Sequence, residues 1–370
     1  MKGLLIWADS YCRSTLAFFD GIGKSFGVPC RIIVIESSFD IRTKTGFSES
    51  EFKGLDIIFY SEIKDIDAFL QQYQGYYHIF GVYQKNNGCR DLIKKVLMRG
   101  DRYGIASEAP NNLSNGFRRF LKCIYHRCVL PIILWKVIKG ADFIINLSGD
   151  LNGPLLKIGW KKRQIIPCGY YSPALPNTNA VKRDINSWKN FSILLTGIHA
   201  FHRSPMVLMN ALHVLDMRGI KYTCHITQNG PLLPKMKQFA EENKMEHVRF
   251  EGFLPLEDLN RLYSTCSVYV GAGANEAWGI RLNDSLNCGA PLVVSTGMGG
   301  VKLVRDYQCG LAFPRKDYKA LADCLERLIK NKEEYLMYAE KAVEAASLID
   351  PYNKASEIAN YIKSHYSHWN

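Results

Sequence analysis

Short apolar runs separated by stretches of helical length organise the first half of the chain: Gly3–Trp7, Arg31–Ile35, Asp56–Tyr60, Tyr77–Val82, Tyr103–Ala106 and Asp142–Leu147. Runs this short, rich in Ile, Val, Tyr and Phe, predict strands buried on both faces of a parallel sheet. From Pro167 to Lys189 the pattern dissolves into a Pro-, Gly-, Asn- and Ser-rich segment that predicts an exposed connection. The alternation then restarts. Strands are predicted at Phe191–Leu195, Tyr222–Thr227, His247–Phe250, Ser267–Gly271 and Pro291–Ser295. Between them, helices are predicted at Pro205–Met217, Pro234–Asn243, Leu256–Thr265 and after Gly279, and the tail from Tyr318 onwards reads as helical. The pattern is α/β, doubly wound, and occurs twice. It divides the chain into a domain over 1–170, a linker over 171–189, a second domain over 190–345, and a C-terminal helix over 346–370 expected to pack back towards the first domain.

Composition narrows the class. A length of 370 residues suits two domains of similar size, and 47% hydrophobic with 22% charged residues is the balance of a globular protein. The 11 cysteines form no CxxC pair, which argues against a thiolate zinc site or a disulfide framework and for a reduced, cytoplasmic setting. The start, MKGLLIWADSYC, is broken by Asp9 too early for a cleaved signal peptide, and no apolar run reaches the length of a bilayer span.

The formal charge of +12 is unevenly placed. Between Phe117 and Arg163 ten basic residues (Arg118, Arg119, Lys122, Arg127, Lys136, Lys139, Lys157, Lys161, Lys162, Arg163) face two acids, Asp142 and Asp150, a local net of +8. Over Phe117–Lys139 these cations are interleaved with Phe, Leu, Ile and Trp. Two readings stand: an amphipathic helix packed on the sheet, with Pro131 starting or kinking a second helix, or an interfacial surface that meets anionic lipid.

The segment 275–300, NEAWGIRLNDSLNCGAPLVVSTGMGG, carries the chemistry. Glu276 follows a predicted strand, Gly279 precedes a helix, and Asp284 lies inside that helix, the spacing of eight keeping both carboxylates broadly on one side. A carboxylate is the natural acceptor for paired sugar hydroxyls. Backbone amides at a helix start favour a phosphate. Taken alone, Glu276 reads equally as a helix N-terminal acid and Asp284 as part of a solvated face.

This segment resembles the family 4 retaining glycosyltransferases, whose hallmark is two Glu eight positions apart within E-G-F-G-x-x-x-x-E-A-x-x-x-G-x-P-V. Here it reads Glu276, Ala277, Trp278, Gly279, Asp284, Ser285, Gly289, Pro291 and Leu292, with Asp for the second Glu. Ile166–Gly169 resembles the family's I-P-x-G, Gln228–Pro231 its G-x-G-P turn and Val248–Gly252 its V-x-F-x-G strand. Arg203 falls at its phosphate-binding Lys. The Arg expected after Gly197 is Ile198, so Arg203, with His199 or His202, is left to supply positive charge. The first-domain His of the family is absent, and Glu108 or Ser107 takes its place.

The resemblance implies the GT-B fold, two Rossmann-like domains facing a cleft, with acceptor on the first and donor on the second. It implies catalytic roles for Glu276 and Glu108 and donor contacts from Gly197, Arg203, Asn229, Gly230, Ala277, Trp278, Gly279, Ile280 and Asp284. The expected activity is transfer, with retention, from a nucleoside-diphosphate sugar, UDP-sugar first, to a glycan or lipid-linked acceptor in bacterial surface polysaccharide synthesis. No metal or other cofactor is expected; Asp65-Ile66-Asp67 has the letters of a metal motif inside a helix-like stretch. The anionic membrane surface is the expected partner of 117–163, at the cytoplasmic face of the cell membrane. Rival readings are a sugar-nucleotide epimerase or glycan phosphorylase of the same architecture and, prompted by the charge, a nucleic-acid-binding protein, although no nucleic-acid module is recognisable.

Overall fold

The computed structural model describes residues 2–36, 54–84, 88–111, 116–175 and 178–366. The chain forms two compact units. The first comprises residues 1–111, 117–173 and 350–370, and the second is essentially 174–349.

The first unit is built on a seven-stranded sheet in the order β3-β2-β1-β4-β5-β6-β7: β1 Leu4–Ser10, β2 Cys30–Glu36, β3 Ile57–Phe59, β4 Tyr77–Phe80, β5 Tyr103–Ser107, β6 Ile144–Asn146 and β7 Ile165–Pro167. Every pairing is parallel. Leu5, Ile33, Phe80, Ile105 and Ile144 are buried in one cluster with the helix residues Ile93, Val96 and Leu134, which is why these strands read as unbroken apolar runs. The final helix, Pro351–His365, is capped by Asp350, whose carboxylate accepts from the amides of Tyr352 and Asn353. It packs on the helix Arg13–Phe26 so closely that a Cβ at Gly21 would stand 2.8 Å from that of Ala355.

The second unit repeats the winding with six strands in the order β10-β9-β8-β11-β12-β13: β8 Ser192–Leu195, β9 Thr223–Thr227, β10 Val248–Gly252, β11 Val268–Gly271, β12 Leu292–Ser295 and β13 Gly310–Phe313. These pairings are also parallel. In both sheets the strand order reverses beside the first strand, between β1 and β4 and between β8 and β11. In open α/β sheets such reversals open a crevice at the strand carboxyl ends.

Several sequence expectations need correction. β13 escaped the periodicity reading because Gly-Leu-Ala-Phe is short and lacks β-branched residues. The connection before the second unit is not uniformly exposed. Residues Ile185–Lys189 form a helical turn capped by Asp184, and Arg183 is only 2% exposed. Its guanidinium donates to the carbonyls of Val181, Tyr263, Cys266 and Cys288, fastening the incoming chain to the ends of the helices Leu256–Thr265 and Ile280–Asn287. Asp65 caps the helix Ile66–Gln72, and Asp67 pairs with Lys95.

The segment from 116 to 140 is helical throughout, as Gly116–Ile124, a π turn over Tyr125–Val129, and Leu130–Gly140 with Pro131 in its first turn. Leu130, Leu134, Val137 and Ile138 bury one face. Phe117, Phe120, Leu121, Ile124, Ile132 and Trp135 stand exposed, with Phe117 at 73% and Ile132 at 78%. The placement of Arg119's side chain lies outside the described set. Among the described residues no helix is long and apolar enough to cross a membrane.

Candidate functional site

The reversal between β8 and β11 gathers the site. β8 ends at Leu195, and the chain turns at Gly197 (φ +106°) into a short 3-10 turn, Phe201–Arg203, before the helix Pro205–Met217. The positive φ brings Arg203 back over the turn. A Cβ at Gly197 would lie 2.3 Å from Arg203 Nη1, so a side chain and the observed guanidinium cannot occupy the space together.

β11 leads into the second half. The amides of Ala274 and Asn275 donate to the carbonyl of His202 at 2.9 and 3.3 Å, tying the loop after β11 to the loop after β8. Glu276 bridges in parallel to Met298, its amide donating to Gly297 O and its carbonyl accepting from Gly299 N. Its backbone is therefore held on both sides. The side chain, 17% exposed, lies with Oε1 3.5 Å from Arg203 Nε and Oε2 where a Cβ on Gly273 would come within 2.9 Å. Burial pushes the Glu276 carboxyl above its ordinary 4.5, and the Arg203 charge pulls it partly back.

Gly279 (φ +100°) then opens the helix Ile280–Asn287, with no side-chain cap on its first turn. A Cβ there would lie 2.4 Å from Met298 Cε, so glycine is required both for the conformation and for the methionine beneath it. Leu282 N already donates back to Gly279 O at 2.9 Å, which leaves the amides of Ile280 and Arg281 at the head of the helix, the arrangement that suits an anion. Arg203, Glu276, Gly279, Arg281 and Met298 line a cavity of about 30 Å³ with Tyr269 and Thr196 at its back.

Other expected residues fall into place differently. Asn229 Oδ1 accepts from the amide of Gly230, and the carbonyl of Asn229 accepts from His199 N. Gly230 packs so closely on the His199 backbone that a Cβ would come within 2.4 Å. These two residues shape the loop that carries Arg203. Ala277 and Trp278 are buried, Trp278 donating to Asn283 Oδ1, so they support the turn from beneath. Ile280 is half-buried at the helix start. Asp284 is not on a solvated face: it is 3% exposed and accepts from Arg281 Nη1 at 3.0 Å. Nor do Glu276 and Asp284 share a helix face, because Glu276 precedes the helix and sits in the β-bridge.

The histidines do not supply charge. His199 is buried with Nε2 donating to the carbonyl of Thr227, and both it and His202 are held below the ordinary histidine range, first by burial and then by the Arg203 charge. Arg203 and Arg281 are the cations at this cavity. Arg281 was missed in the sequence because it stands at a variable position of the motif; its only signal there was the spacing of three to Asp284, which suits an ion pair on a helix. In the first unit, Glu108 and Ser107 lie at the carboxyl end of β5, Glu108 exposed and its carbonyl accepting from Gln84 Nε2.

Residues 186–345 match the sequence profile of the family described as glycosyl transferases group 1. A D-inositol 3-phosphate glycosyltransferase of Corynebacterium urealyticum is 29% identical over 131 residues, covering 35% of this chain and 31% of the relative. The O-antigen chain mannosyltransferase C of Escherichia coli is 28% identical over 152 residues, 40% of each. The chain thus spans about a third to two fifths of these relatives' length. Among solved structures, HepE of Anabaena in complex with UDP superposes with a TM-score of 0.71 at 14% identity, over 98% of this chain and 100% of that one. The fold is GT-B, and the match to the glycosyl transferases group 1 profile lies within the second unit.

Proposed function

We propose that this protein, a GT-B glycosyltransferase by fold and by its second unit, transfers a sugar from a nucleoside-diphosphate sugar to a glycan or lipid-linked acceptor, with retention of configuration. The observation that carries the reading is the Arg203–Glu276 pair at the strand-order reversal, beside an uncapped helix start. In this reading the diphosphate lies over Gly279 and the first amides of Ile280–Asn287 and against Arg203, while Glu276 accepts from the hydroxyls of the donor sugar. As the bond from the anomeric carbon to the diphosphate oxygen breaks, charge builds on that oxygen, and Arg203 with the helix amides stabilises it. Such preorganised donors supply the largest share of catalysis in many enzymes. Because Arg203 is a permanent cation, no metal is needed for this task. Asp284 fixes the Arg281 guanidinium at the cavity.

A UDP-sugar is the favoured donor. The UDP complex of HepE and the action of the E. coli relative on an O-antigen chain support a uridine donor and a role in surface polysaccharide synthesis. The acceptor is assigned to the first unit, with Glu108 beside it.

The test is a calorimetric titration with UDP, GDP and their sugars, followed by mass-resolved transfer assays. Binding of one nucleoside diphosphate, and transfer lost in Glu276→Gln with that binding retained, is expected. Donor isomerisation without transfer, or phosphate-dependent cleavage of a glycan, would replace this reading by an epimerase or a phosphorylase.

The exposed apolar and basic face of 116–140 supports a second element of the proposal, that the first unit docks on an anionic membrane at the cytoplasmic face. Vesicles containing anionic lipid should co-sediment the protein at low salt, and less of a variant with Arg118, Arg119, Lys122 and Arg127 changed to Gln.

A further inference from the structure

A second cavity, of about 870 Å³, lies wholly within the first unit. Trp135 and Lys139 of the helix Leu130–Gly140 form one wall, Lys161 and Arg163 before β7 form another, and Tyr361 and Tyr366 at the chain's last helix close it. It opens beside Asp142 and Gln164, which precede β6 and β7. It therefore sits at the amino ends of these strands, whereas Glu108 lies at the carboxyl end of β5. In a parallel sheet those ends are opposite, so this cavity is separate from the place where the fold binds reactants.

Its chemistry is one-signed. Asp142 is the single acid in the lining, and its carboxylate is already taken by Arg102 at 2.8 Å and the Tyr77 hydroxyl at 3.0 Å. Lys139, Lys161 and Arg163 form no ion pair with a carboxylate among the described residues, and all three are exposed to the cavity or to solvent. Lys139 stands 5.1 Å from the ring centre of Trp135. Tyr361 stacks on His365 at 3.9 Å, and the Tyr366 hydroxyl donates to the carbonyl of Arg163, so the aromatic wall is fixed to the basic loop.

The surroundings select the kind of anion. Trp135, 57% exposed, belongs both to the cavity rim and to the exposed apolar face, where Ile132 and Ile133 are its neighbours on the same helix. Tryptophan and tyrosine beside cations, next to an apolar strip, match the boundary between headgroups and acyl chains.

We propose that this cavity holds the phosphate headgroup of an anionic glycerophospholipid, with Lys139, Lys161 and Arg163 on the phosphate, the aromatic rings around the glycerol, and the acyl chains leaving past Trp135. The site rests on the membrane-docking reading above and deepens it, since a general attraction to negative surfaces needs no cavity and no preference for a single lipid. A lipid seated here leaves the strand carboxyl ends open for the reaction.

The test uses the full chain and a short-chain phosphatidylglycerol below its micelle concentration, titrated by calorimetry, with inorganic phosphate and an acidic oligosaccharide as parallel probes. One-to-one saturable binding of the lipid is expected, with phosphate and oligosaccharide much weaker. Changing Lys139, Lys161 and Arg163 to Gln removes three charges, each worth roughly fivefold near a lipid surface, and should weaken lipid binding at least about tenfold. Changing Arg118, Lys122 and Arg127 to Gln, equal in charge, should leave the one-to-one binding intact. Co-sedimentation with phosphatidylglycerol vesicles runs beside it. Vesicle binding without saturable binding of the single lipid, or equal losses in the two variants, overturns the cavity and leaves membrane docking standing. Absence of both overturns both. Phosphate binding as tight as the lipid, or preference for the oligosaccharide, also overturns the lipid assignment.

Discussion

Replacing Gly197 by Ala should damage donor binding by displacing a different residue. The added methyl would stand 2.3 Å from Arg203 Nη1, well inside contact distance, while the nearest point of conflict is the far end of a flexible side chain and not backbone. The guanidinium therefore swings away and the loop stays. A left-handed φ of +106° adds backbone strain of about 1–2 kcal/mol to the folded protein. For binding, the loss is that of a charged hydrogen bond to the diphosphate, about 1.5–3 kcal/mol, or roughly 10- to 150-fold in Kd. Arg203 is 30% exposed, so solvent screening places the result towards the lower end. The assay is calorimetric titration of the nucleoside diphosphate into Gly197→Ala, Arg203→Ala and the double variant. Because the first substitution acts through the second residue, the double variant should bind no more weakly than Arg203→Ala alone, a coupling far from additive. Additive losses, or a Gly197→Ala variant with unchanged Kd, would refute the argument that Gly197 exists to seat Arg203.

Glu276 gives a pH dependence. Its carboxyl is raised above 4.5 by burial, so the charged form needed for accepting hydroxyls is lost, as pH falls, at a higher pH than for an ordinary Glu; the acid limb of kcat/KM should lie above 4.5 and move further up in Arg203→Ala. A raised carboxyl favours folding below its unfolded value, and that contribution fades as pH climbs through the folded one. Glu276→Gln should accordingly be no less stable than the parent at pH 7 in thermal unfolding, and a clear loss there would contradict the assigned shift. Arg183→Ala strips one donor group from four carbonyls and should destabilise the second unit by about 3–5 kcal/mol, read as a fall of roughly 6–20 °C in Tm. A change under about 2 °C would show that water replaces the guanidinium without penalty. Finally, transfer should survive EDTA; loss on chelation with recovery in Mg²⁺ would move the leaving-group chemistry from Arg203 to a metal.

What the sequence revealed depended on whether the signal was local. Buried parallel strands such as Leu4–Ser10 and Val268–Gly271 must be apolar on both faces, so they announce themselves in a window of a few residues. Helices with proline in the first turn, as at Pro205–Met217, announce their start. The order of strands in each sheet leaves no mark on any single window, and neither does the burial of Arg183, whose four acceptors lie up to 105 residues away. A cation in a Pro- and Gly-rich stretch reads as solvent-facing until the carbonyls around it are known.

The site divides along the same line. Gly279 was read as preceding a helix and Gly197, through the resemblance, as a donor contact, and the structure adds a reason for each glycine: Arg203 in one case, and Met298 in the other, fills the space. Asp284 shows the opposite limit. Eight residues from Glu276 in sequence, it was read as lying broadly on the same side, yet the bridge from Glu276 to Met298 holds the first carboxylate before the helix and the second pairs with Arg281. Substituting Asp for Glu at 284 shortens the reach by one methylene, and a buried ion pair three residues along the helix makes use of that shorter side chain. The pair in turn fixes a second guanidinium at the cavity, whereas the position after Gly197 holds Ile198 and brings no charge. In this chain the positive charge at the cavity comes from both segments, Arg203 after β8 and Arg281 in the helix after β11.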